Sequence, residues 1–420
     1  MPAVTLHLAA LQRALDGAGE VREAGHDDVV DGVPAAVVAR PGSVEATCAL
    51  LRATSEAGLV VVPRGGGTAL DWGAPPERVD VLLDTSGLDS IVEHEAGDLV
   101  VVTQAGLPLR RLAEVVAEAG QELVADVPRG RVDGGSTVGG ALATAPSGPR
   151  RVSRGALRDL VLGVKIVRAD GVLATAGGKV VKNVAGYDLA KLMTGSYGTL
   201  AVVVQAAFRL HPIPAARGFV VSERPLRKAA DVARAVVSSQ LAPAAVEIDR
   251  QAGSDDATVV VLLEGVPAAV EARTGQTAAL TGGAGGDQPG WWGSLPGGAA
   301  DVLLKVTATL PGVADVLAAV RKAEQAHGVA VAVRGSAGGV LYVSLPGDTG
   351  AEAVSGALKE LRSVAATPGD GTVTVLRAPA HIRDAVDVWG PVPGVDLMRR
   401  VKEQFDPDRL LSPGRFVGGI

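Results

Sequence analysis

Three glycines in succession, Gly65 to Gly67, directly follow the apolar run Leu59 to Val62 inside the stretch PRGGGTALDWG (Pro63 to Gly73). Residues without side chains at the end of a buried strand let backbone amides approach an anion, so the chemistry on offer is phosphate binding. Two familiar phosphate motifs are tested by the residues downstream of the glycines. A GxGxxG fingerprint needs a helix whose N-terminus receives a pyrophosphate. Gly65 and Gly67 fit its first two positions and Asp84 sits at a fitting distance for a ribose-binding acid, but Leu70 takes the third glycine's place. Gly73, Pro75 and Pro76 then forbid a helix. The Walker loop fails sooner, because no GK[ST] is present there. What remains is a nest of amides, with Thr68 as an added hydroxyl donor.

Two more glycine-rich stretches lie downstream, GGSTVGGALATAPSG (Gly134 to Gly148) and KVVKNVAGYDLAKLMTGSYGTLAVVV (Lys179 to Val204). Three such stretches along one region imply a long ligand with several anionic and polar groups, and a dinucleotide cofactor fits that description. The chain's cysteine and histidines point away from metals. Cys48 is the single cysteine, and His7, His26, His94, His211, His327 and His381 are isolated. Neither an iron–sulfur cluster nor a zinc site is expected from such a set.

The elements that must position these loops are legible from periodicity. AAVVAR reads as a strand and Val44 to Ala57 as a helix, N-capped by Ser43 with Glu45 in its first turn and ended by Gly58. LVVV then delivers the chain into the glycine loop. VDVLLD, LVVVTQAG, LVLGVKIVRADG and TLAVVVQAAFRLHP read as strands, with a helix after Pro108 closed by Gly120. Beyond a boundary at His211 to Pro214 the pattern changes to longer strands and helices: helices from Pro225 to Gln240 and from Pro267 to Leu280, then strands DVLLKVTATL, VAVAVRG and GVLYVSL. That order predicts an α+β arrangement. Residues 281–300, rich in Gly and Pro and carrying Trp291 and Trp292, read as a long surface loop, with the tryptophans either packed back on the domain or offered to a partner.

Length and charge exclude other classes. At 420 residues with a formal charge of −6, the chain has room for two or three domains and no electrostatic footprint for nucleic acid. Its densest basic group, Arg150, Arg151, Arg154 and Arg158, reads as local loop chemistry. The N-terminus lacks a basic region leading into a long apolar core, and no run approaches a membrane span, so a cytoplasmic protein is expected.

PRGGGT, DGGSTVGGALAT, DLVLGVKIVRADG and NVAGYDLAKLMTGSYGTLAVV, in this order, resemble the FAD-binding domain of the p-cresol methylhydroxylase and vanillyl-alcohol oxidase flavoprotein superfamily. FDPDRLLSPGRF is similar to that superfamily's closing FDPxxxLNPGK-type segment, with Ser412 where asparagine is usual. RGGGTALDWG, NVAGYDLAKLMTGSYGTL and LRAPAHIRDAVDVWGP resemble most the branch of FAD-binding subunits of bacterial glycolate oxidases. The resemblance covers most of residues 35–213 and 374–417.

It implies an α+β fold with a two-subdomain FAD-binding domain at 35–214, preceded by a helical segment at 1–34. An α+β cap would come next at 215–373, and a C-terminal segment, 374–420, would return to the FAD domain. Pro63, Arg64, Gly65, Gly66, Gly67 and Thr68 would hold the FAD pyrophosphate. Thr137, Gly139, Gly140, Ala143 and Thr144 would line the phosphate and ribityl channel, and Gly186, Tyr187 and Asp188 its floor. Val202 and Val203 would either meet the cofactor's edge or be plain buried strand. Many members attach flavin through a histidine directly after the glycines. Thr68 stands there, so non-covalent FAD is expected.

The resemblance further implies oxidation of a 2-hydroxy acid, glycolate to glyoxylate, by an assembly that adds a second flavoprotein subunit and an iron–sulfur subunit, with any membrane association through that complex. The stretch AVRGSAGGVLYV departs from the HxGDGNxH-like strand-turn of related dehydrogenases, keeping glycines without histidines or acid. A self-sufficient oxidase and a non-catalytic assembly subunit therefore stay open. Arg334, Arg377 and Arg415 are candidate contacts for a substrate carboxylate, each also readable as a structural ion pair.

Overall fold

In the computed structural model, which describes residues 2–179, 188–366 and 371–420, the chain divides into two compact units. Unit 1 comprises 1–146, 156–213 and 393–420; unit 2 comprises 147–155 and 214–392. The fold is α+β in both.

Among the described residues, unit 1 holds two five-stranded sheets and a two-stranded pairing of His211–Pro212 with Gln121–Glu122. In the first, Val33–Pro41, Val79–Asp84 and Val61–Arg64 run parallel in that spatial order, and Gly19–Glu23 adds an antiparallel edge. The helix Val44–Glu56 joins two of these strands; the Ser43 hydroxyl accepts from the Ala46 amide, and Gly58 turns the chain at φ +64°. The second sheet is antiparallel, ordered Leu173–Gly177, Val161–Val167, Val202–Arg209, Val100–Gln104, Ile91–Glu95. Leu50, Leu51, Val61, Val81 and Leu83 share a core with Val167, Val202 and Val204, so the two sheets are glued through the strand that enters the glycine loop. The helix Pro2–Leu15 belongs to this core through Leu11 and Leu15.

The second glycine stretch is not all loop. Val138–Thr144 is a short helix, capped by the Thr137 hydroxyl accepting from the Gly140 amide at 3.3 Å. Val138, Ala141 and Leu142 are buried against the second sheet, and a Cβ on Gly139 would lie 2.9 Å from the Ala105 Cβ. Glycine here permits a helix to sit close on a strand end, and tertiary packing offsets its poor helix propensity.

The C-terminal part of unit 1 is the helix Val395–Phe405 and a tail that adds to the first sheet. The Val61 amide donates to Leu410 O at 2.7 Å, and the Ser412 amide to Val61 O at 3.0 Å. A buried hub fixes the tail. Lys402 Nζ donates to Asp406 (2.6 Å), Thr199 O (2.7 Å) and Leu411 O (2.9 Å), while Asp406 accepts from the amides of Leu410 and Leu411. Burial pushes the Lys402 ammonium's pKa down, opposed by Asp406.

Unit 2 is an eight-stranded sheet with the helices Leu226–Val237, Pro267–Thr281, Gly312–His327 and Ala351–Ala365 over one apolar face. Val373–Arg377 is its edge strand beside Val302–Thr307, so 374–392 stays with this unit and the return to unit 1 starts at Pro393. An alternating apolar pattern in TVTVLR suits an edge strand better than a connecting segment. The 281–300 stretch is the mostly irregular surface segment expected, and its tryptophans take the first of their two readings, packed back on the domain. It contains the strand Ala284–Gly286, paired with Phe219 to Val221, and its tryptophans cover Phe219, Ala245, Val260 and Leu262. The Trp292 ring meets Phe219 edge-on, with centroids 5.2 Å apart. A sheet face with exposed Phe and Leu needs a lid, and this segment supplies it.

Candidate functional site

The glycine loop begins where Val61–Arg64 ends. Parallel register places Arg64 beside Asp84, and the Arg64 guanidinium donates to Asp84 and to Asp28, each at 2.9 Å. Arg22 and the Gly25 amide also bond Asp28, and these partners, Arg22 foremost, hold its carboxyl well below the usual range against its burial. For Asp84, burial works upward but is outweighed by Ser86 and Arg64, so its pKa too is lowered. Both carboxylates are thus ionised and fix the cation at the mouth of the loop.

Gly65 and Gly66 then run flush along the second glycine stretch. A Cβ on Gly65 would lie 2.1 Å from Thr137 Oγ1, and one on Gly66 would lie 1.9 Å from Gly135 O. Gly67 is left-handed at φ +71°. The Thr68 and Ser136 hydroxyls bond each other at 2.7 Å, tying the two stretches together. Among the described residues, the amides of Gly65 to Thr68 make no hydrogen bond. Four adjacent donors in a turn with no acceptor of their own are suited to an anion. No helix succeeds the loop; the chain turns through Gly73, φ +85°, where a Cβ would lie 2.8 Å from Arg415 O.

These residues bound a cleft of about 660 Å³, open to solvent. A second hollow of about 470 Å³ shares Pro63, Arg64, Gly65, Gly140, Ala143 and Tyr197 with it and continues along Ala105, Gly139, Val202 and Val203. Pro63 to Thr68, Thr137, Gly140, Ala143 and Thr144 line the first cleft; Gly139, Val202 and Val203 line the second. Gly186 and Tyr187 lie outside the described residues, while Asp188 caps the helix Leu189–Met193 through Lys191 N. The lining of both spaces contains no Asp, Glu, His or Cys among the described residues, and three arginines, Arg64, Arg131 and Arg415.

The three arginines expected near a substrate carboxylate each bond groups of the protein itself. Arg415, 4% exposed, lines the cleft but donates to Leu70 O (2.9 Å) and Trp72 O (2.7 Å), bracing the turn after the glycines. Arg334 of unit 2 pairs with Asp249 at 2.6 Å and lies over Trp291, and Arg377 of unit 2 donates to Gly298 O and Asp301 O. Sequence reasoning missed Trp72, Arg131, Ser136 and Tyr197 as lining residues. Tyr197 is left-handed at φ +55° and its ring lies 5.7 Å from Phe416; a non-glycine residue held there beside Gly198 is an uncommon feature that SYG does not announce. Trp72 is 1% exposed, and its indole N–H has no partner among the described residues.

A dinucleotide fits this donor set. The unclaimed amides and the lack of carboxylates in the described lining suit a pyrophosphate, and the narrow approach at Gly65 and Gly66 admits backbone but no side chain. There is no cluster of metal-ligating side chains among the described residues.

Comparison with known proteins agrees with this chemistry. Residues 34–177 match the family described as FAD binding domain. The chain is 36% identical over 176 residues to D-lactate dehydrogenase of Archaeoglobus fulgidus, a stretch covering 42% of this chain and 39% of that protein. It is 39% identical over 134 residues to glycolate oxidase subunit GlcE of Escherichia coli, covering 32% and 38%. To glycolate oxidase subunit GlcD of Bacillus subtilis it is 31% identical over 216 residues, covering 51% and 45%. The chain thus spans less than half the length of each of these relatives. Among solved structures, Physcomitrella patens BBE-like 1 superposes with a TM-score of 0.68 at 15% identity, covering 96% of this chain and 97% of that one. Alkyldihydroxyacetonephosphate synthase gives 0.66 at 16% identity, covering 91% and 76%. These two likenesses show the fold. Together the sequence matches support the p-cresol methylhydroxylase and vanillyl-alcohol oxidase flavoprotein superfamily, with an FAD-binding domain at residues 34–177.

Proposed function

We propose that the cleft of unit 1 binds FAD without a covalent bond, and that the protein is the FAD-bearing subunit of a glycolate-oxidase-like assembly that converts glycolate to glyoxylate. The observation that carries the reading is the run of unclaimed amides at Gly65 to Thr68, set against Thr137 and Gly135 in a cleft whose described lining has no carboxylate. Pro63 to Thr68 hold the pyrophosphate, Thr137, Gly140, Ala143 and Thr144 line the adjoining channel, and Gly139, Val202 and Val203 its continuation. Thr68 occupies the place of a tethering histidine and spends its hydroxyl on Ser136. No His or Cys lines either space among the described residues, so the histidyl and cysteinyl flavin bonds have no partner there.

Bound FAD supplies two-electron acceptance, and oxidation of glycolate releases two electrons and two protons. A single cysteine cannot ligate an iron–sulfur cluster, so electrons from reduced flavin need another acceptor; in this reading it is a second flavoprotein and an iron–sulfur subunit, with a quinone or oxygen as the alternatives. The glycolate oxidase subunits among the relatives support this placement; the D-lactate and D-2-hydroxyglutarate dehydrogenases favour a second reading, self-sufficient oxidation of another 2-hydroxy acid. The test is to purify the chain, then reconstitute it with the two partners. Flavin that glycolate reduces only in the assembly supports the subunit reading. Bleaching by 2-hydroxy acids in the chain alone supports the self-sufficient enzyme, and absence of flavin leaves an assembly role.

A further inference from the structure

Arg131 is one of three arginines in the cleft lining, and it differs from the other two in how it is held. Arg64 is locked between two ionised carboxylates, and Arg415 is spent on the carbonyls of Leu70 and Trp72. Both terminal nitrogens of Arg131 donate to Asp71 Oδ1, at 3.4 and 3.5 Å, long bonds to a carboxylate that is 40% exposed, and its guanidinium carbon lies 4.1 Å from the centroid of the buried Trp72 ring. The Arg131 side chain itself is 11% exposed. Cation–π attraction to a buried indole holds a guanidinium in place, and this one borders the same cleft as Gly65 to Thr68. Its backbone is also committed: the Ser136 amide donates to Arg131 O at 2.9 Å, so the cation is tied to the same segment that meets Thr68.

We infer that Arg131 is the counter-charge for the diphosphate of the cofactor, with Trp72 as the platform that holds it and Asp71 as the carboxylate that yields to the phosphate oxygens. This rests on the reading of the cleft as an FAD site and adds a side chain to a cradle otherwise made of backbone. An N–H of a cation gives a charge-assisted bond to phosphate, which an amide nest alone lacks. Two consequences separate it from a structural role. Retention of the dinucleotide becomes salt dependent through this one residue, and ligands that keep the diphosphate but lack the flavin feel its loss.

The experiment strips flavin from the full chain and titrates wild type, Arg131→Gln and Arg131→Lys with FAD, and separately with ADP and riboflavin, at several salt concentrations; melting of each apo-protein serves as the folding control. Expected is a loss of FAD affinity of about ten- to hundredfold in Arg131→Gln, a similar loss for ADP, none for riboflavin, and a salt dependence flatter by about one charge. Arg131→Lys recovers part of the affinity and most of the salt dependence. Equal FAD and ADP affinity in wild type and Arg131→Gln overturns the inference while leaving the FAD site standing. A wild-type chain that binds neither FAD nor ADP overturns the FAD site and the inference with it.

Discussion

Two of the glycine clusters at strand ends do opposite things with their backbones. In RGSAGG, between Ala332–Ser336 and Val340–Leu345, the donors are spent: Gly338 N on Ser336 Oγ and Gly339 N on Ser336 O. Gly339, φ +100°, would place a Cβ 2.1 Å from Ala308 O, so it is there to let a hairpin press on its neighbour. In RGGGT the close approaches are equally tight, yet the amides of Gly65 to Thr68 have no acceptor among the described residues. Composition alone does not distinguish a packing glycine from a ligand-binding one; the fate of the amide does.

The largest expected effect breaks this contrast directly. Gly66→Ala forces the loop away from Gly135 O and should empty the chain of flavin on purification, lowering FAD affinity by more than about a hundredfold, as misplaced donors lose several bonds at once. Gly339→Ala should cost about 3 kcal/mol of stability through strain and clash and leave FAD affinity within about twofold. Flavin titration and thermal melting on both variants decide it. If Gly339→Ala loses flavin as Gly66→Ala does, the two clusters are not functionally distinct.

A second variant asks what keeps the cradle in register. Lys402→Met leaves the buried Asp406 without its counter-charge and removes two bonds that hold the tail that pairs with Val61, so it should destabilise unit 1 by about 3–5 kcal/mol. A melting temperature unchanged from wild type would show that the hub is not needed to hold the tail.

Acid offers a smaller, graded test. Asp28 and Asp84 have folded pKa values below their unfolded ones, so their contribution is present above about pH 4 and is lost as pH falls through the folded values. Stability should therefore decline with acid, and Asp28→Asn, weaker at neutral pH, should decline less steeply. Parallel acid profiles for the two proteins would show that Asp28 contributes nothing to the loop's mouth. Thr68→Val, which breaks the bond to Ser136, is the mildest change, about 1 kcal/mol.

The course of the chain after the glycine loop was legible in the sequence because its signals are local. Gly73, Pro75 and Pro76 forbid a helix within ten residues of the glycines, and the turn is there in the structure. Ser43 and Gly58 likewise mark their helix ends by their own chemistry. The helix Val138–Thr144 was not legible, because GGALAT has poor propensity and little amphipathic pattern; Leu142 and Val138 buried in the core make it a helix. Arg131 and Trp72 lie 59 positions apart, and only the fold stacks them. Which of its two readings the Trp291 and Trp292 pair takes was left open for a similar reason: the surface it covers, Phe219 to Leu262, is built from three strands.

If the cleft of unit 1 holds FAD through backbone and hydroxyl contacts, with no bond to flavin, denaturing the protein must set the cofactor free. Acid precipitation of the purified holoprotein reads this in one step. About one FAD per chain is expected, all of it in the supernatant; flavin that stays with the pellet, or a chain purified and supplemented with FAD that still carries none, contradicts a non-covalent FAD site.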